Sequence, residues 1–293
     1  MNYSKYYKWW MPYIFIVPAG IILVLFFFIP FFESFWLSFH NFRHSVYSPD
    51  WIGLANYTSL LQSAVFWKTL LNTFIYLIVA VPLLVIIPVI IAIAVNQKLL
   101  GVKFYRISIY LPVIVSIVVA GIAWKWLYAD NGILNYFLSF PGSGKIGWLT
   151  DPNIALYSVI AVTVWKGLGY YMVIYLAALT SVPRELYEAA DIDGASTFVK
   201  HMTVTIPHLK PAIALVSVMS AVSAMKVFVE IYVMTQGGPL NSSKTIVYYI
   251  YQRAFENLDL GYASAMGIVL LFIILGLSLI NIKYIEGGKY SQV

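Results

Sequence analysis

Residues 70–95 read LLNTFIYLIVAVPLLVIIPVIIAIAV, a run without one acidic or basic side chain. A helix needs about 20 consecutive apolar residues to cross a bilayer core, and this stretch exceeds that. Working outward, further apolar segments fall at about residues 11–39, 108–128, 154–180, 211–235 and 262–282, so the chain reads as an all-α membrane protein, a bundle of six transmembrane helices. In hydrocarbon each backbone N–H and C=O must be paired within its own segment, which makes continuous helices the default; the alternation of a transmembrane barrel is absent. Pro82, Pro88 and Pro112 are expected to kink these helices or mark their ends.

The composition supports membrane insertion. Of the 293 residues, 61% are hydrophobic and 10% charged, against about 25% charged in an ordinary soluble domain. The net charge of +6 is spread between the apolar segments rather than gathered on one face, which argues against nucleic acid as a partner. With no cysteine, disulfides, thiolate catalysis and Cys-based zinc sites are excluded. Lys5 and Lys8 precede an apolar run from Pro12 to Phe32 that is too long for the core of a typical cleavable signal peptide, so a retained first helix is expected.

Orientation follows from the basic flanks. An N-in arrangement places ten basic residues in the cytoplasm (Lys5, Lys8, Lys98, Lys103, Arg106, Arg184, Lys200, Lys210, Lys283 and Lys289) and five outside (Arg43, Lys68, Lys145, Lys244 and Arg253). That bias is the one cytoplasmic loops show, and it puts both termini inside.

The inner loop 181–210 differs from the others: it holds Glu185, Glu188, Asp191 and Asp193, four of the twelve acidic residues. Pro183 suits the first turn of a helix, Glu185 and Glu188 complement its dipole, and Leu186, Ala189 and Ala190 share one face. Asp193-Gly194 reads as the turn that ends it, Ser196 as the cap of a second short helix, and Pro207 and Pro211 as the stop of that helix before the next span. Such a loop is either a plain connector on the membrane surface or a docking knob. The acidic polar face and the small residues Ala189, Ala190, Gly194 and Ala195 favour docking of a cytoplasmic partner.

The run Glu188-Ala189-Ala190, then Asp193-Gly194-Ala195, then Ile206-Pro207 with Pro211 resembles the EAA loop of ABC importer permeases. Other segments resemble the carbohydrate-uptake branch, of the maltose and glycerol-phosphate type: Trp51-Ile52-Gly53-Leu54-Ala55-Asn56-Tyr57, Tyr110-Leu111-Pro112-Val113 with Trp124-Lys125-Trp126, Thr235-Gln236-Gly237-Gly238-Pro239, and Gly261-Tyr262-Ala263-Ser264-Ala265. The resemblance implies a permease subunit of an importer for sugars or related polyols in a bacterial inner membrane, forming half of the pathway. Glu188, Ala189, Ala190, Asp193, Gly194, Ile206 and Pro207 would then be the residues coupling to a cytoplasmic ATPase. It further implies a second homologous permease, two ATP-binding subunits that hold ATP and Mg, an external solute-binding protein and no cofactor in this chain. On this reading residues 1–69 carry the first helix and an outer loop, 70–282 the importer transmembrane domain with coupling loop 181–210, and 283–293 a cytoplasmic tail.

Ionisable residues inside spans are costly and so are functional candidates. Lys166 lies in the fourth span, and Lys226 and Glu230 in the fifth. Four residues apart, Lys226 and Glu230 would meet on a helix and pair, unless they line a wet cavity where a polyhydroxylated substrate exchanges hydrogen bonds. With the nearby aromatic side chains, Trp165, Lys166, Lys226, Glu230 and Tyr232 are the candidate pathway residues, and Gly237, Gly238 and Pro239 a candidate contact for the external binding protein.

Gly142-Ser143-Gly144-Lys145 is not a phosphate loop, because Ile146 replaces the required Ser or Thr and Ser139 the expected glycine, so the chain is not itself an ATPase. His40 and His44 are four apart but lack a further ligand, so no metal is expected. The competing class is a self-sufficient secondary transporter or channel, which often shows inverted repeats that are not evident here. A membrane enzyme is disfavoured because the intramembrane charges form no acid/base pair with a nucleophile.

Overall fold

The computed structural model describes residues 10–42, 49–97, 100–138 and 144–286. Lys5, Lys8, Arg43, His44, Lys98, Ser139, Gly142, Ser143, Lys289 and the side chain of Lys283 lie outside the described residues. The chain forms two compact units, Met1–Ser63 with Ile250–Leu271 and Ala64–Tyr249 with Phe272–Val293.

The first unit begins with α1 (Met11–Leu23), a π turn at Val24–Phe28 and α2 (Ile29–Leu37), together one apolar helix with no buried side chain in its most apolar stretch. Phe15 is 83% exposed and Phe26 77%. A helix that is apolar all round needs lipid or another chain about it. After it, β1 (His40–Asn41) pairs antiparallel with β2 (Asp50–Trp51), His40 opposite Trp51, and α3 (Ala55–Gln62) follows.

In the second unit α4 (Ala64–Val95) runs unbroken through Pro82 and Pro88, so neither proline ends it. The third span is α5 (Val102–Ile114) and α6 (Ile117–Leu127), bent by 100° at Val115 and Ser116. Then come α7 (Ile133–Leu138), α8 (Ala155–Leu179), α9 (Arg184–Ile192), α10 (Thr197–Lys200), a π turn at His201–Thr205, α11 (Ile206–Met225), α12 (Val229–Met234) and α13 (Ile246–Tyr251). The core lies between α4, α8 and α11, where Tyr76, Ile160, Met172, Tyr175, Leu209 and Val216 are buried. α8 also carries α5 on its surface. A Cβ at Gly169 would lie 2.4 Å from the Ile109 carbonyl oxygen, so the two backbones touch there, the small-residue packing that membrane helices favour.

Three features depart from the sequence reading. First, the span expected at 108–128, with a kink or end at Pro112, is two helices that meet at a bend of 100° a turn after that proline. Pro112 has no N–H for the Ser108 carbonyl, and Val115 and Ser116 take extended ψ angles of 134° and 137°. Second, the span expected at 211–235 is broken between Met225 and Val229, where Lys226 and Phe228 leave helical geometry. Third, Pro207 and Pro211 do not stop the helix before that span. The chain stays helical from Thr197 to Met225: the π turn at His201–Thr205 changes the hydrogen-bond register just before Pro207, and Pro211 is carried inside α11.

The last helix, α14 (Leu260–Glu286), follows a π turn at Gln252–Glu256. Its start belongs to the first unit: a Cβ at Gly261 would meet the His40 carbonyl oxygen at 2.0 Å, and Asn56 Nδ2 donates to the carbonyls of Ser38 and His40 at 2.8 and 3.1 Å. The two segments Trp51–Tyr57 and Gly261–Ala265 are therefore one packed cluster. Among the described residues five helices are long and apolar enough to cross a membrane, and the bent pair α5 and α6 makes a sixth.

Candidate functional site

Both helix breaks open onto one cavity of about 680 Å³ within the second unit. Tyr76, Ala80 and Leu84 face it from α4, Val113 and Ile117 flank the bend of the third span, Thr163, Lys166 and Tyr170 come from α8, and Ser223, Lys226, Phe228 and Glu230 come from the fifth span. Non-helical backbone at membrane depth persists where it is packed in protein or lines such a space, and here side chains pair the freed carbonyls. Lys166 Nζ donates to the Val113 carbonyl at 3.1 Å and, more weakly, to that of Pro112 at 3.4 Å, which caps α5. Thr245 Oγ1 donates to the Val227 carbonyl at 3.1 Å, inside the break of the fifth span.

Of the five pathway residues read from sequence, the cavity brings together Lys166, Lys226 and Glu230. The break separates Lys226 from Glu230, and among the described residues no ion pair joins them. Trp165 packs edge-on against Trp124 with ring centroids 5.4 Å apart, and Tyr232 stacks on Phe228 at 5.5 Å. Neither is part of the cavity lining. Tyr76 and Thr163, joined hydroxyl to hydroxyl at 2.5 Å, are wall residues that sequence reasoning missed. A signal existed in the i, i+4, i+8 spacing of Tyr76, Ala80 and Leu84, but α4 is apolar on every face and hides it.

The loop 181–210 folds as a capped helix pair. Glu185 sits in the first turn of α9, and Gly194 closes the helix at φ +72°. Gly194 N–H donates to the Asp191 carbonyl at 3.1 Å and Ala195 N–H to that of Ala190 at 2.9 Å, the paired bonds of a Schellman end. Ser196 Oγ accepts from Val199 N–H and caps α10, and an ion pair between Lys200 and Asp191 ties α10 to α9. Glu188, Ala189, Asp193 and Gly194 are exposed, Ala190 is half-buried, and Ile206 and Pro207 are half-buried at the start of α11. Apolar side chains stand out beside them: Ile192 is 88% exposed and Phe198 68%. Thr205 Oγ1 holds this outer layer to α11 by hydrogen bonds with Tyr187 Oη at 2.9 Å and His201 Nδ1 at 3.0 Å.

Gly237 is buried, with Gly238 and Pro239 half-buried, in a turn rather than a free loop. Ser243 Oγ donates to the Gly238 carbonyl at 2.6 Å, and Asn72 Nδ2 of α4 donates to the carbonyls of Asn241 and Lys244 at 2.8 and 2.9 Å. Leu240, 79% exposed, is the part of the turn that stands out.

Known proteins match this arrangement along nearly the whole chain. The chain is 36% identical over 286 residues to YurN of Bacillus subtilis, a probable ABC transporter permease protein, covering 95% of this chain and 97% of the relative. It is 35% identical over 281 residues to AraP of the same organism, the permease protein of an arabinooligosaccharide transport system, covering 93% and 87%. A crystal structure of a bacterial ABC transporter involved in import of the acidic polysaccharide alginate contains a chain similar in fold, with a TM-score of 0.84, 25% identity and coverage of 94% and 95%. The model of one family, the inner membrane component of binding-protein-dependent transport systems, matches residues 52–285, and the chain belongs to that family of membrane permeases.

Proposed function

We propose that this chain is the permease subunit of an ATP-driven importer for sugars or related polyols, providing half of the translocation pathway. The observation that carries the reading is the helical continuity from Thr197 to Met225, which links the exposed loop directly to the helix whose broken end lines the cavity. A rigid link of this kind lets a partner that grips α9 and α10 bias which of two arrangements the cavity wall adopts. Hydroxyl groups and aromatic faces around the cavity, from Tyr76, Thr163, Tyr170 and Phe228, suit a polyhydroxylated cargo, and the arabinooligosaccharide and alginate relatives support a saccharide.

In this scheme Glu188, Ala189, Ala190, Asp193 and Gly194 seat in a cleft of a cytoplasmic ATPase, with Ile206 and Pro207 at the root of the lever. A second permease of the same kind completes the pathway, two ATPase subunits bind ATP and Mg, and an external solute-binding protein delivers the cargo near the turn at Gly237, Gly238 and Pro239. Both termini are then cytoplasmic, consistent with the distribution of Lys and Arg. The test is purification from native membranes in mild detergent, with co-purified chains identified by mass. Recovery of an ATPase and a second permease, with ATP hydrolysis stimulated by a saccharide and its binding protein, is the expected result; a chain recovered alone overturns the proposal.

A further inference from the structure

The cavity holds three ionisable groups, and their engagements differ. Lys166 is committed to the Pro112 and Val113 carbonyls, and Glu230 lines the same wall from α12. Lys226 lines the same cavity, is exposed, and its ammonium has neither an ion pair nor a hydrogen bond among the described residues. It is not needed to cap α11. The backbone N–H of Lys226 already returns to the carbonyls of Ser223 and Ala224, and the Val227 carbonyl is taken by Thr245. An ammonium held at membrane depth without a protein partner is costly unless something in the cavity answers its charge.

We infer that Lys226 reads an anionic group on the cargo, so that the saccharide carried is acidic, bearing a carboxylate as a uronic acid does. This rests on the sugar reading above. Two lysines and one glutamate line the cavity, so it keeps one formal positive charge in excess, with the Phe228 ring and the Ser223 hydroxyl in the same wall. A carboxylated sugar ring would set its carboxylate on Lys226, its hydroxyls on the serine and its apolar face on the aromatic ring. A charge-assisted hydrogen bond of this kind is stronger than a neutral one and separates an acid from its neutral analogue by about tenfold or more.

The test uses the assembled transporter with its own binding protein in proteoliposomes, and two probes: digalacturonate and its methyl ester, which has the same ring without the charge. The expected result is uptake of the acid at about ten times the rate of the ester, a preference that Lys226→Met abolishes and Lys226→Arg retains. Because the binding protein is the same throughout, a change in the acid-to-ester ratio belongs to the permease. Equal uptake of acid and ester by the unaltered protein overturns the inference without any variant. Equal loss of both probes in Lys226→Met also overturns it, since Lys226 would then pair with a partner chain. Uptake of neutral saccharides alone overturns the inference while leaving the sugar importer standing, and no uptake of any saccharide overturns both.

Discussion

Gly194 offers the sharpest perturbation of the proposed coupling loop. At φ +72° it occupies the left-handed region, and its N–H and that of Ala195 close α9 on the carbonyls of Asp191 and Ala190. An L-residue there costs about 1–2 kcal/mol, which lowers the ratio of capped to uncapped loop by about 5- to 30-fold. A Cβ at Gly194 would meet no atom within 4 Å, so Gly194→Ala adds strain without a clash and leaves the core intact. Asparagine enters the left-handed region far more readily. If the ATPase recognises the capped loop, its ratio to permease after purification falls for Gly194→Ala, by up to about 5- to 30-fold from the same strain, and much less for Gly194→Asn, with unchanged thermal unfolding of both. Full ATPase retention in Gly194→Ala, or a larger loss with asparagine than with alanine, would refute the reasoning.

Three further outcomes are expected. Lys166→Met strips the cap from α5 and should lower stability by about 1–3 kcal/mol, read as a lower unfolding midpoint in detergent that Lys166→Arg largely restores. Asn72→Ala leaves the Asn241 and Lys244 carbonyls without their donor, at a similar cost of about 1–3 kcal/mol, and should make residues 235–245 more sensitive to protease. Gly169→Leu forces α5 away from α8, since even a Cβ would lie 2.4 Å from the Ile109 oxygen, and should yield chain that aggregates on size exclusion.

The spans were legible because hydropathy governs which segments can enter a bilayer, and the run at 70–95 stands out without any tertiary context. The bend of the third span was signalled by Pro112, but the break of the fifth was not. No glycine or proline stands between Met225 and Val229, and the departure there depends on Thr245, a residue 18 positions after Val227, arriving to pair the freed carbonyl. Pro207 and Pro211 misled for the opposite reason, because the helix continues through them after a π turn that the sequence does not announce. Lys166, Lys226 and Glu230 could be found because charge is rare inside a span, and they share one cavity. Tyr76 and Thr163 could not, since neither is unusual in its helix and only their pairing across α4 and α8 makes them part of the wall. The end of α9 was readable to the residue because Gly194 answers a local demand of the backbone.

The most direct test of the central claim is uptake of radiolabelled saccharide into proteoliposomes, comparing the purified chain alone with the complex it assembles in its native membrane. Uptake only by the complex, only with its binding protein and hydrolysable ATP, is the predicted result. Uptake by the chain alone, driven by an ion gradient without ATP, would contradict it and make the protein a self-sufficient carrier.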